Sequence, residues 1–246
     1  MPRLGILTPS SNTVLEPLTV AMLAGFTHTT AHFARFKVTE IALSAAALGQ
    51  FDDAEILRAA ELLAHARVDT IAWSGTSSSW LGFARDETLC ARIAAATGIA
   101  ASTAVLALNE ILARTGVRRL GLVTPYHDDV QAKIVANYAA AGIMVSAEQH
   151  LGITDNYSFA EVDGTTIERL IRSVGESAPE AIAVLCTNMR AAPLAERLEQ
   201  ALGIAIYDSV AVTVWKALTL CGSDTAQVKG YGRLFGDPRL AQDARP

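Results

Sequence analysis

Apolar positions along the chain follow two alternating rhythms. Short continuous apolar runs occur at Arg3–Leu7, Thr70–Trp73, Arg119–Val123 and Ile182–Leu185. Runs of this length, bounded by polar turns, predict buried strands. Between them apolar residues recur at helical spacing. Asp53–Ala66 sets Ile56, Leu57, Ala60, Leu63 and Ala64 on one face, which predicts an amphipathic helix. Thr13–Ala24 and Ala84–Thr97 read as helices, the second stopped by Gly98. Thr30–Val38 alternates loosely and predicts a further strand. Ser102 is expected to cap a helix that runs to about Arg114 and ends at Gly116. Strand and helix in strict alternation predict an α/β fold with parallel sheets and helices on both faces.

After Gly116 the pattern restarts. RLGILTP at 3–9 returns as RLGLVTP at 119–125, and IAWSGTS at 71–77 returns as IAVLCTN at 182–188. The two echoes keep their order and nearly their spacing, which predicts two similar α/β lobes, 1–116 and 117–246. The helix near 210–221 and the C-terminal tail are expected to pack back on the first lobe. In open α/β sheets ligands sit beyond the carboxyl ends of the strands. A pseudo-twofold between lobes would bring Ser10–Asn12, Gly75–Ser78, Tyr126–Asp128 and Cys186–Asn188 to one cleft.

The chain has 246 residues, 51% of them hydrophobic and 18% charged, with a net charge of −5. This is a globular composition. Its basic residues are scattered, so no nucleic-acid footprint is expected. No apolar run reaches the roughly 20 residues that span a bilayer. Met1-Pro2-Arg3 leads straight into a strand pattern, so no leader is expected. Three widely spaced cysteines, Cys90, Cys186 and Cys221, read as reduced thiols of a cytoplasmic protein. Oligomeric state is left open between a monomer and a small homo-oligomer.

Cys186 ends a strand-like run, with a helix predicted near Pro193. The pKa of a thiol near a helix N-terminus can fall well below the free value, and the thiol could act as acid, base or nucleophile; a role as proton donor wants a pKa near or above neutrality. Cys90, inside a helical pattern, and Cys221, before Gly222, read as structural. Thr76, Ser77, Ser78 and Ser79 form a hydroxyl-rich turn at the matching strand end. Such a turn suits a carboxylate or an oxyanion, and equally a helix cap. Tyr126 offers a phenol, and Asn12 and Asn156 offer amides. Metal binding is not expected, because His28 and His32 stand apart from other ligands. No cofactor is expected either. The sequence carries no phosphate-binding loop or nucleophile elbow, and Gly230-Tyr231-Gly232 has no helix after it.

These residues resemble the aspartate/glutamate racemase superfamily over nearly the whole chain. LTPSSNTVLEP at 7–17, TPY at 124–126 and CTN at 186–188 are similar to maleate cis-trans isomerases. GTSSS at 75–79, GVRRLGLVTPYHDD at 116–129, LGIT at 151–154 and GYGRLF at 230–235 are similar to arylmalonate decarboxylases. The resemblance implies two pseudo-symmetric Rossmann-like lobes with the active site in the cleft between them, and in most members one cysteine on each lobe. Here Cys186 matches the second cysteine and Gly75 stands at the first, an arrangement shared with the decarboxylases. Thr187-Asn188 stands where those have glycine after the cysteine. The resemblance implies a cofactor-independent decarboxylase of a malonate-type dicarboxylate. Cys186 would be the proton donor, and Gly75, Thr76, Ser77, Tyr126 and Thr187 would bind substrate. Two alternatives stay open. One is an isomerase or racemase of a small dicarboxylate, with Asn12 and Asn156 gripping carboxylates. The other is a non-catalytic carboxylate-binding homologue.

Overall fold

The computed structural model describes residues 1–241. Residues 242–246, the end of the expected C-terminal tail, lie outside the described residues. The first sheet is formed by β1 (Arg3–Pro9), β2 (Thr30–Phe36), β3 (Thr70–Trp73) and β4 (Ala101–Thr103), in the order β2-β1-β3-β4. The second is formed by β5 (Arg119–Thr124), β6 (Met144–His150), β7 (Ala181–Val184) and β8 (Ala205–Asp208), in the order β6-β5-β7-β8. All pairings within the two sheets are parallel, and the orders are identical. The echoing sequence runs therefore fold into equivalent strands. β1 and β5 lie inside their sheets, as do β3 and β7, and both of the latter are buried along their whole length.

Among the described residues ten α-helices accompany the strands: α1 (Leu15–Met22), α2 (Ala45–Gly49), α3 (Asp53–His65), α4 (Ser78–Leu81), α5 (Ala84–Thr97), α6 (Ala104–Thr115), α7 (Asp128–Ala140), α8 (Gly164–Gly175), α9 (Ala195–Leu202) and α10 (Ser209–Leu220). α3 buries Ile56, Ala59, Ala60 and Leu63, close to the face that the periodicity predicts. α5 has the predicted bounds, and Gly98 ends it in the left-handed region at φ 71°. Ser102 is not a cap. It pairs with Ala72 inside β4, and the Thr103 hydroxyl caps α6 by accepting from the Leu106 N–H at 3.1 Å. A strand needs its full length to satisfy its backbone groups, so the cap falls on the next hydroxyl. α1 starts later than expected because the Asn12 carboxamide oxygen accepts from the Val14 and Leu15 N–H groups, each at 2.9 Å.

Helices from the two halves pack on each other. α10 lies against α6 and α1, and α4 against α7. Arg114, in the last turn of α6, donates to the Arg239 and Ala241 carbonyls of the tail at 3.2 and 2.7 Å. No described helix is long and apolar enough to cross a membrane.

Asp86 on α5 is a buried acid that ties this framework to the turn after β3. It accepts from the Ser78 hydroxyl at 2.6 Å and from the Thr103 hydroxyl. Burial raises its pKa from 3.8 to about 6, against the lowering effect of those two donors. The folded state thus holds a proton that the unfolded chain releases above pH 4. Stability from this group is present below that pH and is lost as pH rises through about 6. The loss approaches about 3 kcal/mol at ~1.4 kcal/mol per unit. Asp86→Asn keeps an acceptor for both hydroxyls and removes the titration. Its urea midpoint is expected to fall less than the parent's between about pH 4 and pH 7. An unchanged slope would assign the pH dependence to other groups.

Candidate active site

The carboxyl ends of β1, β3, β5 and β7 meet at the junction of the two lobes. A small cavity of about 20 Å³ lies there, with room for about one water. It is lined by Pro9, Trp73, Gly75, Thr76, Ser77 and Trp80 of the first lobe, and by Tyr126, Asn156, Cys186 and Thr187 of the second. Val38, Ile41 and Phe51, from the long connection between β2 and α3, close one wall. No lining residue carries a formal charge.

Buried hydrogen bonds hold the two lobes together around this cavity. The Thr187 hydroxyl donates to the Ser74 carbonyl at 3.2 Å and accepts from the Asn12 amide at 3.1 Å. The Asn188 side-chain oxygen accepts from the Thr13 N–H at 3.0 Å, and its amide donates to the Asn156 carbonyl at 2.6 Å. The Thr76 and Tyr126 hydroxyls lie 2.7 Å apart. Asn156 donates to the Ser11 hydroxyl at 2.7 Å. A bridge between Glu40 and Asp155 and the bond from the Ile41 N–H to the Thr154 carbonyl at 2.9 Å tie the first-lobe wall to the second lobe.

The residues singled out in the sequence do not all reach the cavity. Gly75, Thr76, Ser77, Tyr126, Asn156, Cys186 and Thr187 line it. Asn12 stands behind this layer, its amide spent on Thr187 and its oxygen on the start of α1. Asp128 lies away from the site, its side chain 93% exposed and paired with His150. Cys90 and Cys221 are not among the lining residues. The apolar wall, above all Trp73, Trp80 and Phe51, was missed, because buried aromatics next to strands read as core. Trp73 packs on Phe36 with ring centroids 4.8 Å apart, and Trp80 sits between Phe51 and Tyr126 at 5.9 and 5.2 Å.

Cys186 is not acidified, and its thiol keeps the proton that a donor role wants. Burial pushes its pKa from 9.0 up to about 12. The Asn188 N–H, 3.3 Å from Sγ, and the neighbouring Tyr126 phenol pull the other way and lose. The nearest helical turn begins only at Ala192, beyond the first-turn range over which a helix dipole acts. Burial likewise holds the Tyr126 phenol well above its ordinary value. At neutral pH both groups are protonated donors. Among the described residues, nothing accepts from the backbone N–H groups of Thr76, Ser77, Cys186 or Thr187. Hydroxyls, a thiol and free backbone N–H groups in a dry space suit an anion that forms during reaction. No three His, Cys, Asp or Glu side chains gather to hold a metal ion among the described residues.

Arylmalonate decarboxylase from Bordetella bronchiseptica is 32% identical over 166 residues, 66% of this chain and 69% of that one. Maleate isomerase from Geobacillus stearothermophilus is 25% identical over 234 residues, 88% and 90% of the two chains. Maleate isomerase from Pseudomonas putida S16, solved with maleate, superposes with a TM-score of 0.89 at 23% identity, covering 98% and 99% of the two chains. A cysteine-to-serine mutant of the Nocardia farcinica maleate isomerase carries a covalently bound succinylcysteine intermediate. It superposes at 0.87 with 24% identity, covering 99% of each chain. These relatives are enzymes, and the two isomerase structures have the fold described here. The family model for arylmalonate decarboxylase matches residues 19–235, and the chain therefore belongs to the arylmalonate decarboxylase family.

Proposed function

We propose that this chain is a cofactor-independent decarboxylase of a malonate-type dicarboxylate. The observation that carries this reading is that the cavity holds one thiol, Cys186, protonated by burial, with a glycine at the equivalent place in the other lobe. Two-sided proton exchange needs an acid–base group on each face of the substrate. One-sided delivery of a proton needs a single group.

The reaction follows from the surroundings. The bond between the α-carbon and one carboxylate breaks, and that carboxylate departs as CO₂. Its bonding electron pair stays on the α-carbon and spreads over the retained carboxylate as an enediolate. The Thr76 and Tyr126 hydroxyls and the N–H groups of Ser77, Cys186 and Thr187 stabilise the charge that grows on those oxygens. The departing group lies against apolar side chains, where an ionised carboxylate is poorly solvated and neutral CO₂ is not. The Cys186 S–H then gives its proton to the α-carbon, and the thiolate regains one from water. A diacid is larger than the cavity in its closed form. Binding therefore requires the wall of Val38, Ile41 and Phe51 to part from Asn156.

The test is incubation of the purified protein with methylmalonate, phenylmalonate and maleate. CO₂ release from a malonate is the expected result. Fumarate from maleate would support the isomerase alternative, and thermal stabilisation by these acids without turnover a binding protein.

Cys186→Ser and Cys186→Ala are each expected to lower kcat a hundredfold or more, on the order of a lost general acid. Cys90→Ala and Cys221→Ala are expected to stay within a few-fold. Near-normal CO₂ release by Cys186→Ala would remove the thiol from the mechanism.

A general acid works while it keeps its proton. With its pKa raised to about 12, Cys186 stays protonated well above the ordinary thiol value of about 8.5. The kcat profile is expected to show no descending limb near that value. A fall centred there, absent when another step limits the rate, would mean that the thiol ionises as an exposed one does.

A further inference from the structure

Gly75 is more than a missing cysteine. A Cβ built on Gly75 would lie 2.0 Å from Cζ2 of Trp73, 2.3 Å from Cε2 and 2.6 Å from Cη2. Side chains two residues apart on extended chain project to the same side, so positions 73 and 75 compete for one volume. The indole has won it. Trp73 is 1% exposed, its backbone is held between β1 and β4, and its ring rests on Phe36. In the second lobe the equivalent pair is Val184 and Cys186, a small residue followed by the thiol. The two lobes thus fill the same pair of positions in opposite ways.

We infer that the Trp73 indole stands where a side chain at position 75 would have to stand, and that it sets the size of the substrate. The second half of this inference rests on the decarboxylase reading. Trp73 lines the same cavity as Cys186. A group on the α-carbon that Cys186 protonates meets this indole, backed by packed aromatic rings. Forcing a larger group into a packed wall costs binding steeply. The chemical class that the indole favours is a malonate bearing hydrogen or a short alkyl group on that side, over one bearing an aryl group. Trp73 is then a specificity-determining residue.

Trp73→Leu tests both halves, since leucine is apolar but lacks the far ring atoms that clash. Gly75→Ala is expected to lower the urea midpoint clearly in the parent and much less in the Trp73→Leu background. Equal losses in the two backgrounds overturn the steric assignment. For specificity, kcat/KM for methylmalonate over that for phenylmalonate is measured in both proteins; the aryl group's own stabilisation of the carbanion enters both ratios alike and cancels between them. Trp73→Leu is expected to cut that ratio at least tenfold. A ratio that Trp73→Leu leaves unchanged overturns the size assignment. Thermal shifts with propionate and phenylacetate separate this outcome from failure of the reaction itself. If neither malonate loses CO₂ but Trp73→Leu alone gains stabilisation by phenylacetate, the indole sets the size of the pocket and the decarboxylase reading fails. If phenylacetate stabilises both proteins equally, the size assignment fails whatever the reaction is.

Discussion

The Thr187 hydroxyl holds the two lobes in register. It gives its proton to the Ser74 carbonyl and takes one from the Asn12 amide, so three strand ends from two sheets share one oxygen. The group is buried, and loss of any partner would leave a polar atom unpaired in a dry place. Everything in the cavity is positioned relative to this junction. Gly75 follows directly on Ser74, and Cys186 directly precedes Thr187. The Thr76–Tyr126 contact and the Asn188 bond to Thr13 repeat the same device on either side, and the Asn188 bond to Asn156 braces it within the second lobe. The cleft is therefore a set of backbone turns locked to one another across the lobe boundary.

Burial around that junction also fixes the charge state of the site. A low-dielectric space disfavours every ionised form, and it acts alike on three groups. Cys186 and Tyr126 keep their protons, and Asp208, at the end of β8, is raised to about 7 by burial. Its negative form would raise Cys186 further. The cavity, with no charged side chain of its own, thus presents donors that are neutral at rest. Such a site gains little from binding a solvated carboxylate. It gains most when charge appears inside it, which is the condition for lowering a barrier in preference to tightening ground-state binding.

Much of this was legible in the sequence, for reasons that differ by element. β3 and α5 were read to the residue because their signals were local, an apolar run with polar ends and a helix closed by Gly98. The repeat was legible because strand ends that face one cleft keep the same polar turns. Thr187 was legible as a site residue, but its part in joining the lobes was not, since its partners at Asn12 and Ser74 are distant in sequence. Asn12 was legible only as an amide of some use. The pattern could not tell a ligand for substrate from a ligand for Thr187. The acidity of Cys186 was left open because the sequence displays a helix downstream and hides the depth of burial, and burial is the larger effect. The wall was lost for a related reason. An apolar side chain facing a cavity and one facing the core obey the same periodicity.

Trp73 brings these threads together. In isolation, IAWSGTS beside IAVLCTN reads as a repeat that has lost a thiol from one copy. The packing gives the difference a steric cause, because the bulk of one lobe's pair sits at its first position and the function of the other's sits at its third. Restoring a cysteine at position 75 alone would drive a side chain into the indole, so the two positions are constrained together. Either a large ring stands at 73 with glycine at 75, or a small residue stands at 73 with room for a side chain at 75. The first choice gives up an acid–base group on one face and gains a rigid apolar wall there. A wall with no proton to exchange, set beside one protonated thiol, is the packing that the proposed one-sided protonation calls for.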